Sequence, residues 1–323
     1  MIDAPILYLS EDDVAGTGVS LDRLREVVAA AFAAQARGTA QVAPKSVLPL
    51  GPGHVFQAKP GVLRDAGLAG MKWFGLVPSE QTTGPSICSL IVLSDIATGR
   101  TLAIMGGDTI TATRTAAMSA IAARSLARAD SVTIGFIGCG VQAASHLNAL
   151  RRILPQLADV VAYSRTAASA ARFVESARAQ GLKAHAVAAP RDAVEGLDVI
   201  VSTVPEGTGT LEFLDPAWLA PGAFVAAVDL GRSWDRTGFG KLDILATDEH
   251  AQSRMMAAIG RMPYAGPYAA DLADIASGTF AGRTSPAQRA MFMFSGHALA
   301  DLAAAQAVYE VALARGLGIR LPR

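Results

Sequence analysis

An α/β fold built on a doubly wound parallel sheet follows from three features of this chain. From residue 131 onward, near-continuous apolar runs alternate with helical stretches of about 10 to 15 residues, the pattern of a parallel sheet covered on both faces. Within that region TIGFIGCGVQAASHLNAL, residues 133–150, reads as a buried strand, a glycine turn and a helix. The length of 323 residues exceeds one ordinary core and predicts two domains.

Residues 20–37 put Leu21, Leu24, Val27, Val28, Ala31 and Phe32 on one helical stripe, with Ser20 as N-cap and Gly38 as the stop. Residues 42–105 change to short runs of Val, Ile, Leu and Phe between Pro and Gly, and ICSLIVLSD, ATGR and TLAIM read as a hairpin. TRTAAMSAIAARSLAR, 113–128, is an alanine-rich helix that leads through Ala129 and Asp130 into the strand SVTIGFIG, so the linker falls there. The helix 141–152, DVVAYS, the helix 167–179, KAHAV, LDVIVSTV and AFVAAVDL continue the sheet. A last helix over about 292–315, stopped by Gly316 and Gly318, is expected to return to the first domain.

Composition excludes some functions. Lys plus Arg and Asp plus Glu are each 28, so no basic field exists to attract nucleic acid or an anionic membrane. Cys88 and Cys139 lie in apolar runs, which suits a reducing compartment and predicts small core residues, not a disulfide framework. MIDAPILYLSEDDV lacks the basic start of a signal peptide, and no apolar run approaches the ~20 residues that span a bilayer. A soluble, cytoplasmic protein is expected. His54, His146, His185 and His250 lack metal-ligand spacing, and no metal site is expected. His297 reads as structural, Asp243 and Asp248 as caps, and Met255, Met256, Met291 and Met293 as core fillers.

The motif Gly138-Cys139-Gly140-Val141-Gln142-Ala143 is a G-x-G-x-x-A between strand and helix. There, backbone N–H groups at a positive helix end face a pyrophosphate, and Ala143 lets the helix close on the strand, as in a Rossmann domain. The NAD form of this fold carries an acid at the end of its second strand. Here that strand ends in Ser164-Arg165-Thr166. A carboxylate would repel a 2′-phosphate, whereas a guanidinium clamps it and hydroxyls donate to it, so the cofactor reads as NADP(H). The alternative is that Arg165 is a solvated loop arginine. Thr203 and Val204, after the fourth strand, are expected to form cofactor wall.

Two cations stand out in the first domain. Lys72 interrupts the apolar run GLAGMKWFGLV and is expected to meet an anion, since an unpartnered buried charge costs several kcal/mol. Arg114 sits in TATRTAAMSA, at the start of the helix entering the nucleotide domain, near where hydride would leave a nicotinamide. A snorkelling lysine and a surface-helix arginine are the alternatives.

Taken together, MKWFG, GPSICSLIVLSDIATGRTLAIM, RTAAMSAIAARSLA, IGCGVQA and the closing DLAAAQAVYEVA resemble, in order and over nearly the whole chain, the ornithine cyclodeaminase and mu-crystallin family. The resemblance implies a homodimer. It also implies a discontinuous α+β substrate and dimerisation domain, residues 1–128 and 302–323, flanking a Rossmann domain over 129–301. In that family a lysine and the arginine of RTAA bind the substrate α-carboxylate, which implies those roles for Lys72 and Arg114. Lys45, in APKSVLP, falls where the family usually carries arginine, keeping the charge but not the bidentate fork. Ser86 falls at a cofactor-contacting threonine, Arg114 and Thr115 at cofactor contacts, and Gln57 near the glutamate that recognises ornithine's distal amine. Asp229, in AVDLGRSW, matches the catalytic aspartate, and Arg232 takes the place of a lysine.

The resemblance therefore implies an oxidoreductase that uses NADPH to reduce a C=N bond next to a carboxylate, as in a cyclic ketimine acid or the imine of a 2-oxo acid. Arg114, Lys72 and Lys45 would fix the carboxylate, and Asp229 would pair with the iminium or pass it a proton. The partner expected is a small imine, amino acid or oxo acid. Ornithine or lysine cyclodeamination, amino-acid dehydrogenation, and a noncatalytic crystallin-type binder of NADPH and a small acid are the alternatives.

Overall fold

A computed structural model describes residues 5–78, 81–84, 86–205 and 211–322. Of these, 5–117 and 297–322 form one compact unit, and 118–205 with 211–296 form a second.

The first unit begins with β1 (Ile6–Leu9), α1 (Glu11–Gly16), α2 (Leu21–Ala36) and β2 (Ala40–Val42). It continues through β3 (Ser46–Gly51), β4 (His54–Leu63), β5 (Leu68–Leu76), β6 (Ile87–Asp95) and β7 (Thr101–Gly106) to α3 (Asp108–Leu126). The division between the units falls inside α3. Ser20 caps α2 by accepting from the Arg23 N–H, and Leu24, Val28, Ala31 and Phe32 are the buried stripe. Gly38 follows at φ +78°, a left-handed conformation that costs glycine no Cβ clash. The sheet runs β15-β1-β7-β6-β5-β4-β2, with β3 paired to β4 and β15 being Ile319–Leu321. The helix α8 (Ala298–Arg315) buries Leu299, Leu302 and Val308 in this core.

Strict alternation sets what faces where. In β4 the buried positions are Val55, Gln57, Lys59, Gly61 and Leu63. Cross-strand register then aligns Gln57, Phe74 and Ser89 in one row, and Lys59, Lys72 and Ile91 in the next. The opposite face carries Ala58, Trp73 and Leu90 in register, with Trp73 and Leu90 exposed.

The second unit contains β8 (Thr133–Ile137), α4 (Val141–Ile153), β9 (Asp159–Tyr163), α5 (Ala167–Ala179), β10 (Lys183–Ala186), β11 (Val199–Ser202) and β12 (Phe224–Ala227). It ends with β13 (Ile244–Ala246), α6 (His250–Ala258), α7 (Leu272–Ser277) and β14 (Ala290–Met293). Its sheet is parallel throughout, in the order β10-β9-β8-β11-β12-β14-β13. Order reverses between β8 and β11, the switch point where doubly wound sheets bind nucleotides.

Three expectations change. The last helix begins at Ala298, not near 292, because Ala290–Met293 enters the sheet between β12 and β13 and Gly296 turns the chain at φ +80°. Cys88 is exposed and Cys139 is half-buried, so neither is a core residue. Register puts Cys88 on the Trp73 side of the sheet. His250, Asp271 and Asp274 do approach one another, each offering a ligand atom within 4.8 Å of the others. Both carboxylates, however, form the capping box of α7. Asp243 accepts from the Arg289 N–H at 2.7 Å, and Asp248 from the Ser295 N–H at 3.2 Å, which ties β13 and its following turn to β14.

Candidate functional site

In the first unit, side chains from β5 and α3 converge on a carboxylate carried by α8. Asp301, fully buried on α8, puts Oδ1 2.8 Å from Arg114 Nε and 3.5 Å from Lys72 Nζ. The Arg114 contact is an ion pair without hydrogen-bond alignment, and Asp301 Oδ2 makes no hydrogen bond among the described residues. Burial opposes ionisation of Asp301, yet the charges of Arg114, Lys72 and Lys59 hold it below the usual carboxylate range. Lys72 also donates to Thr111 Oγ1, and Thr111 lies one helical turn before Arg114. Burial brings Lys72 down to about 8, with Asp301 opposing that shift and Arg114 adding to it.

The position of α3 is fixed by acids at its start. Glu11 accepts from the Asp108 N–H at 2.7 Å and the Thr109 N–H at 3.0 Å, and Asp108 accepts from Ser89 N–H and Oγ. Carboxylates at a positive helix end suit the dipole, and here they lock Arg114 in place against β6 and α1. Lys45 and Gln57 are buried too, at 6 % and 3 % exposure. Ser86 is half-buried at the entry to β6, and Thr115 donates back to the Thr111 carbonyl at 2.6 Å.

Lys59 was not singled out by sequence, although it is one of only five lysines. It is 4 % exposed and directly opposite Lys72. Period-two reading of HVFQAKPGVL puts it on the face of Gln57, which is where it lies. Asp301 was also missed; its signal is a lone acid in the otherwise apolar stretch ALADLAAAQAV.

In the second unit, Gly138 leaves β8 at φ +91°, with its N–H donating to the Tyr163 carbonyl at 2.9 Å. A Cβ there would lie 2.8 Å from Thr203 Oγ1, so only glycine fits. Gly140 is the N-cap of α4 and has no side-chain cap; a Cβ built on it meets nothing within 4 Å. The first turn of α4 carries no acid, Val141 is exposed, and Ala143 is buried against the strand. An uncapped helix end with open space at the glycine fits a pyrophosphate. Cys139 Sγ approaches the Tyr163 carbonyl at 3.5 Å, its thiol pushed up to about 11 by burial. His146 Nδ1 donates to the Gln142 carbonyl at 2.7 Å, and burial lowers His146 to about 4.

Beside this turn, β9 ends in half-buried Ser164 and exposed Arg165 and Thr166. Thr166 is the N-cap of α5, yet its hydroxyl bonds Ser169 Oγ at 2.9 Å and caps no backbone N–H, and the first turn again lacks an acid. Thr203 and Val204, both half-buried, follow β11.

Asp229 follows β12 and is 4 % exposed. Its Oδ1 accepts from Ser202 Oγ at 2.9 Å and the Gly231 N–H at 3.3 Å, and Oδ2 accepts from Ser233 Oγ. Trp234 Nε1 donates to Ser202 Oγ at 3.1 Å. Burial raises Asp229 to about 6, against the lowering by Ser233, Ser202 and the Arg232 charge. The next residue, Leu230, is the one non-glycine at positive φ among the described residues, +62°. Backbone strain at such a turn persists only where the surroundings over-determine it. Among the described residues, Arg232 Nε is buried without a hydrogen-bond partner. Trp234 is fully buried in this unit's core.

Comparison with known proteins agrees with both halves. The model of the ornithine cyclodeaminase/mu-crystallin family matches residues 8–316. Alanine dehydrogenase of Archaeoglobus fulgidus is 30 % identical over 328 residues, covering 98 % of each chain. Among solved structures, Thermococcus litoralis Δ1-pyrroline-2-carboxylate reductase, in complex with NADH and L-proline, aligns with TM-score 0.88 at 26 % identity over 98 % of this chain and 100 % of that one. Iminosuccinate reductase of Paracoccus denitrificans, in complex with NAD+, aligns with TM-score 0.83 at 28 % identity over 98 % and 99 %.

Proposed function

This chain belongs to the ornithine cyclodeaminase/mu-crystallin family, and on that premise we propose that it is an NADPH-dependent reductase of a C=N bond adjacent to a carboxylate. The observation that carries the reading is the buried cation cluster of Arg114, Lys72 and Lys59 around the Asp301 carboxylate. These cations, with Lys45 close to Lys59, suit a substrate carboxylate. Holding the carboxylate also withdraws electron density from the neighbouring imine carbon.

The glycine turn and the uncapped end of α4 would hold the pyrophosphate, and reduced nicotinamide would supply the hydride. Asp229 is tied by two serine hydroxyls and one backbone N–H, so its carboxyl is held in one orientation. Raised to about 6, it holds a proton nearer to neutral pH than an ordinary carboxyl and can deliver it to an imine nitrogen. Gln57, a neutral amide, gives no charge to hold a distal ammonium, which weighs against ornithine cyclisation. The similarity to an alanine dehydrogenase favours a second reading, reduction of the imine that a 2-oxo acid forms with ammonia. The chemistry is the same, with ammonia in place of a larger amine.

Preference for NADPH rests on Arg165, exposed beside the uncapped end of α5 with no acid on the second strand. Arg165→Ala is expected to raise KM for NADPH about ten-fold, roughly 1.4 kcal/mol, while leaving KM for NADH within two-fold. Steady-state oxidation of each cofactor at a fixed imine concentration measures this. A wild-type preference for NADH of ten-fold or more would defeat the NADPH assignment. The exposed apolar row of Trp73 and Leu90, with Leu48 and Ile87 also exposed, supports a homodimer contact on that face of the first sheet.

A reductase screen tests the reading as a whole. NADPH oxidation is followed with cyclic imine acids and with pairs of 2-oxo acids and amines. Consumption of NADPH in step with amine formation is expected. Ammonia release from ornithine or lysine without net change in NADPH would point to cyclodeamination.

A further inference from the structure

Lys59 exceeds what one substrate carboxylate requires. Its ammonium lies 4.9 Å from the centre of the Phe74 ring, and that of Lys72 lies 5.1 Å from the same ring. Among the described residues, Lys59 makes no hydrogen bond and no ion pair within 4 Å, although it is 4 % exposed. Asp301, the carboxylate whose charge acts on it, already has its Oδ1 shared by Arg114 and Lys72. A buried ammonium resting on a ring face regains only part of the solvation that it lost, since a cation–π contact is weaker than full hydration.

Resting on the reductase reading above, we infer that Lys59 forms a second anion subsite and that the substrate is an imine bearing two carboxylates. Arg114 and Lys72 take the carboxylate next to the C=N carbon, and Lys59 takes the distal one. In the reaction, a hydride from NADPH adds to the imine carbon and a proton adds to nitrogen. The product is an N-substituted amino dicarboxylate, or the amino dicarboxylate itself when the amine is ammonia, and NADP+.

The protonation state of the cluster agrees. Burial comes first in holding Lys59 well below the ordinary lysine range; Lys45, Arg114 and Lys72 add to the effect, and Asp301 opposes it. Asp108, bonded to Ser89, is the other acid near Lys72. A bound distal carboxylate would oppose that lowering and favour the charged form of Lys59.

The test uses matched pairs: 2-oxoglutarate against 2-oxopentanoate, and oxaloacetate against 2-oxobutanoate, each with methylamine and NADPH. The wild-type enzyme is expected to favour the dicarboxylate of each pair at least ten-fold in kcat/KM. Lys59→Met should lower that ratio ten-fold or more, and Lys59→Arg should keep it. Because the readout is a ratio within one variant, loss of active protein does not mimic the result. A wild-type ratio near one, or a ratio unchanged in Lys59→Met, would overturn the subsite. Calorimetry with glutarate and pentanoate reads the same subsite without turnover. If no imine is reduced but glutarate binds at least ten-fold more tightly, dependent on Lys59, the subsite stands and the reductase reading falls.

Discussion

Arg114→Ala is expected to lower kcat/KM for a carboxylated imine by about 10³-fold, the roughly 4 kcal/mol lost when one partner of a buried charge pair is truncated. Arg114 is 3 % exposed and sits 2.8 Å from Asp301. Its guanidinium is the one forked donor in a cluster whose other cations are lysines. The matching imine without a carboxylate never used this interaction, so its slow turnover should change by less than ten-fold. Removing Arg114 also leaves Asp301 to Lys72, and breaking a buried pair costs about 3 to 5 kcal/mol of stability. Thermal unfolding of Arg114→Ala should therefore shift downward, and rates should be measured well below its midpoint. Arg114→Lys keeps the charge without the fork and should lose about ten-fold only. Equal loss on both substrates would assign Arg114 a structural role.

Asp229→Asn is expected to lower kcat by about 10² to 10⁴-fold, the range over which a positioned acid contributes. The amide can still occupy the site between Ser202 and Ser233, so the loss measures the proton more than the packing. Sign follows from the raised value. A carboxyl at about 6 keeps its proton below that pH, and as a donor it is competent there. Wild-type kcat/KM should thus fall as pH rises through about 6, apart from any titration of the imine itself. That substrate titration is common to both proteins, so the ratio of wild-type to variant rates isolates Asp229. The ratio should decline toward alkaline pH. A ratio that instead grows through about 6 would mean that the carboxylate form, pairing with an iminium, is the working state.

Much of this site could be seen in the sequence because its chemistry is local. Gly138 and Gly140 are dictated by one turn, and the absence of an acid at Ser164-Arg165-Thr166 is read within a few residues of a strand end. Lys72 stood out because charge inside an apolar strand is costly wherever the strand lies. Asp301 and Lys59 were harder to see, because their roles come from register and from sequence separation. Asp301 meets Lys72 across 229 residues, and Lys59 meets it only because β4 and β5 pair as they do. The serines that hold Asp229 show the same limit. Ser233 is four residues away, but Ser202 belongs to a neighbouring parallel strand, paired so that Ser202 stands opposite Ala227. The start of the last helix was misread for a related reason. An apolar run of four residues suits a buried strand as well as a helix, and only the open place between β12 and β13 decides it.

The most direct measurement of the central claim is NADPH oxidation with two cyclic imines that differ only in a carboxylate on the imine carbon. Stoichiometric conversion of the carboxylated ring to its saturated amino acid, at least a hundred-fold faster than its unsubstituted counterpart, is the predicted result. Equal turnover of the two rings, or no NADPH consumed by either while ornithine releases ammonia, would contradict it.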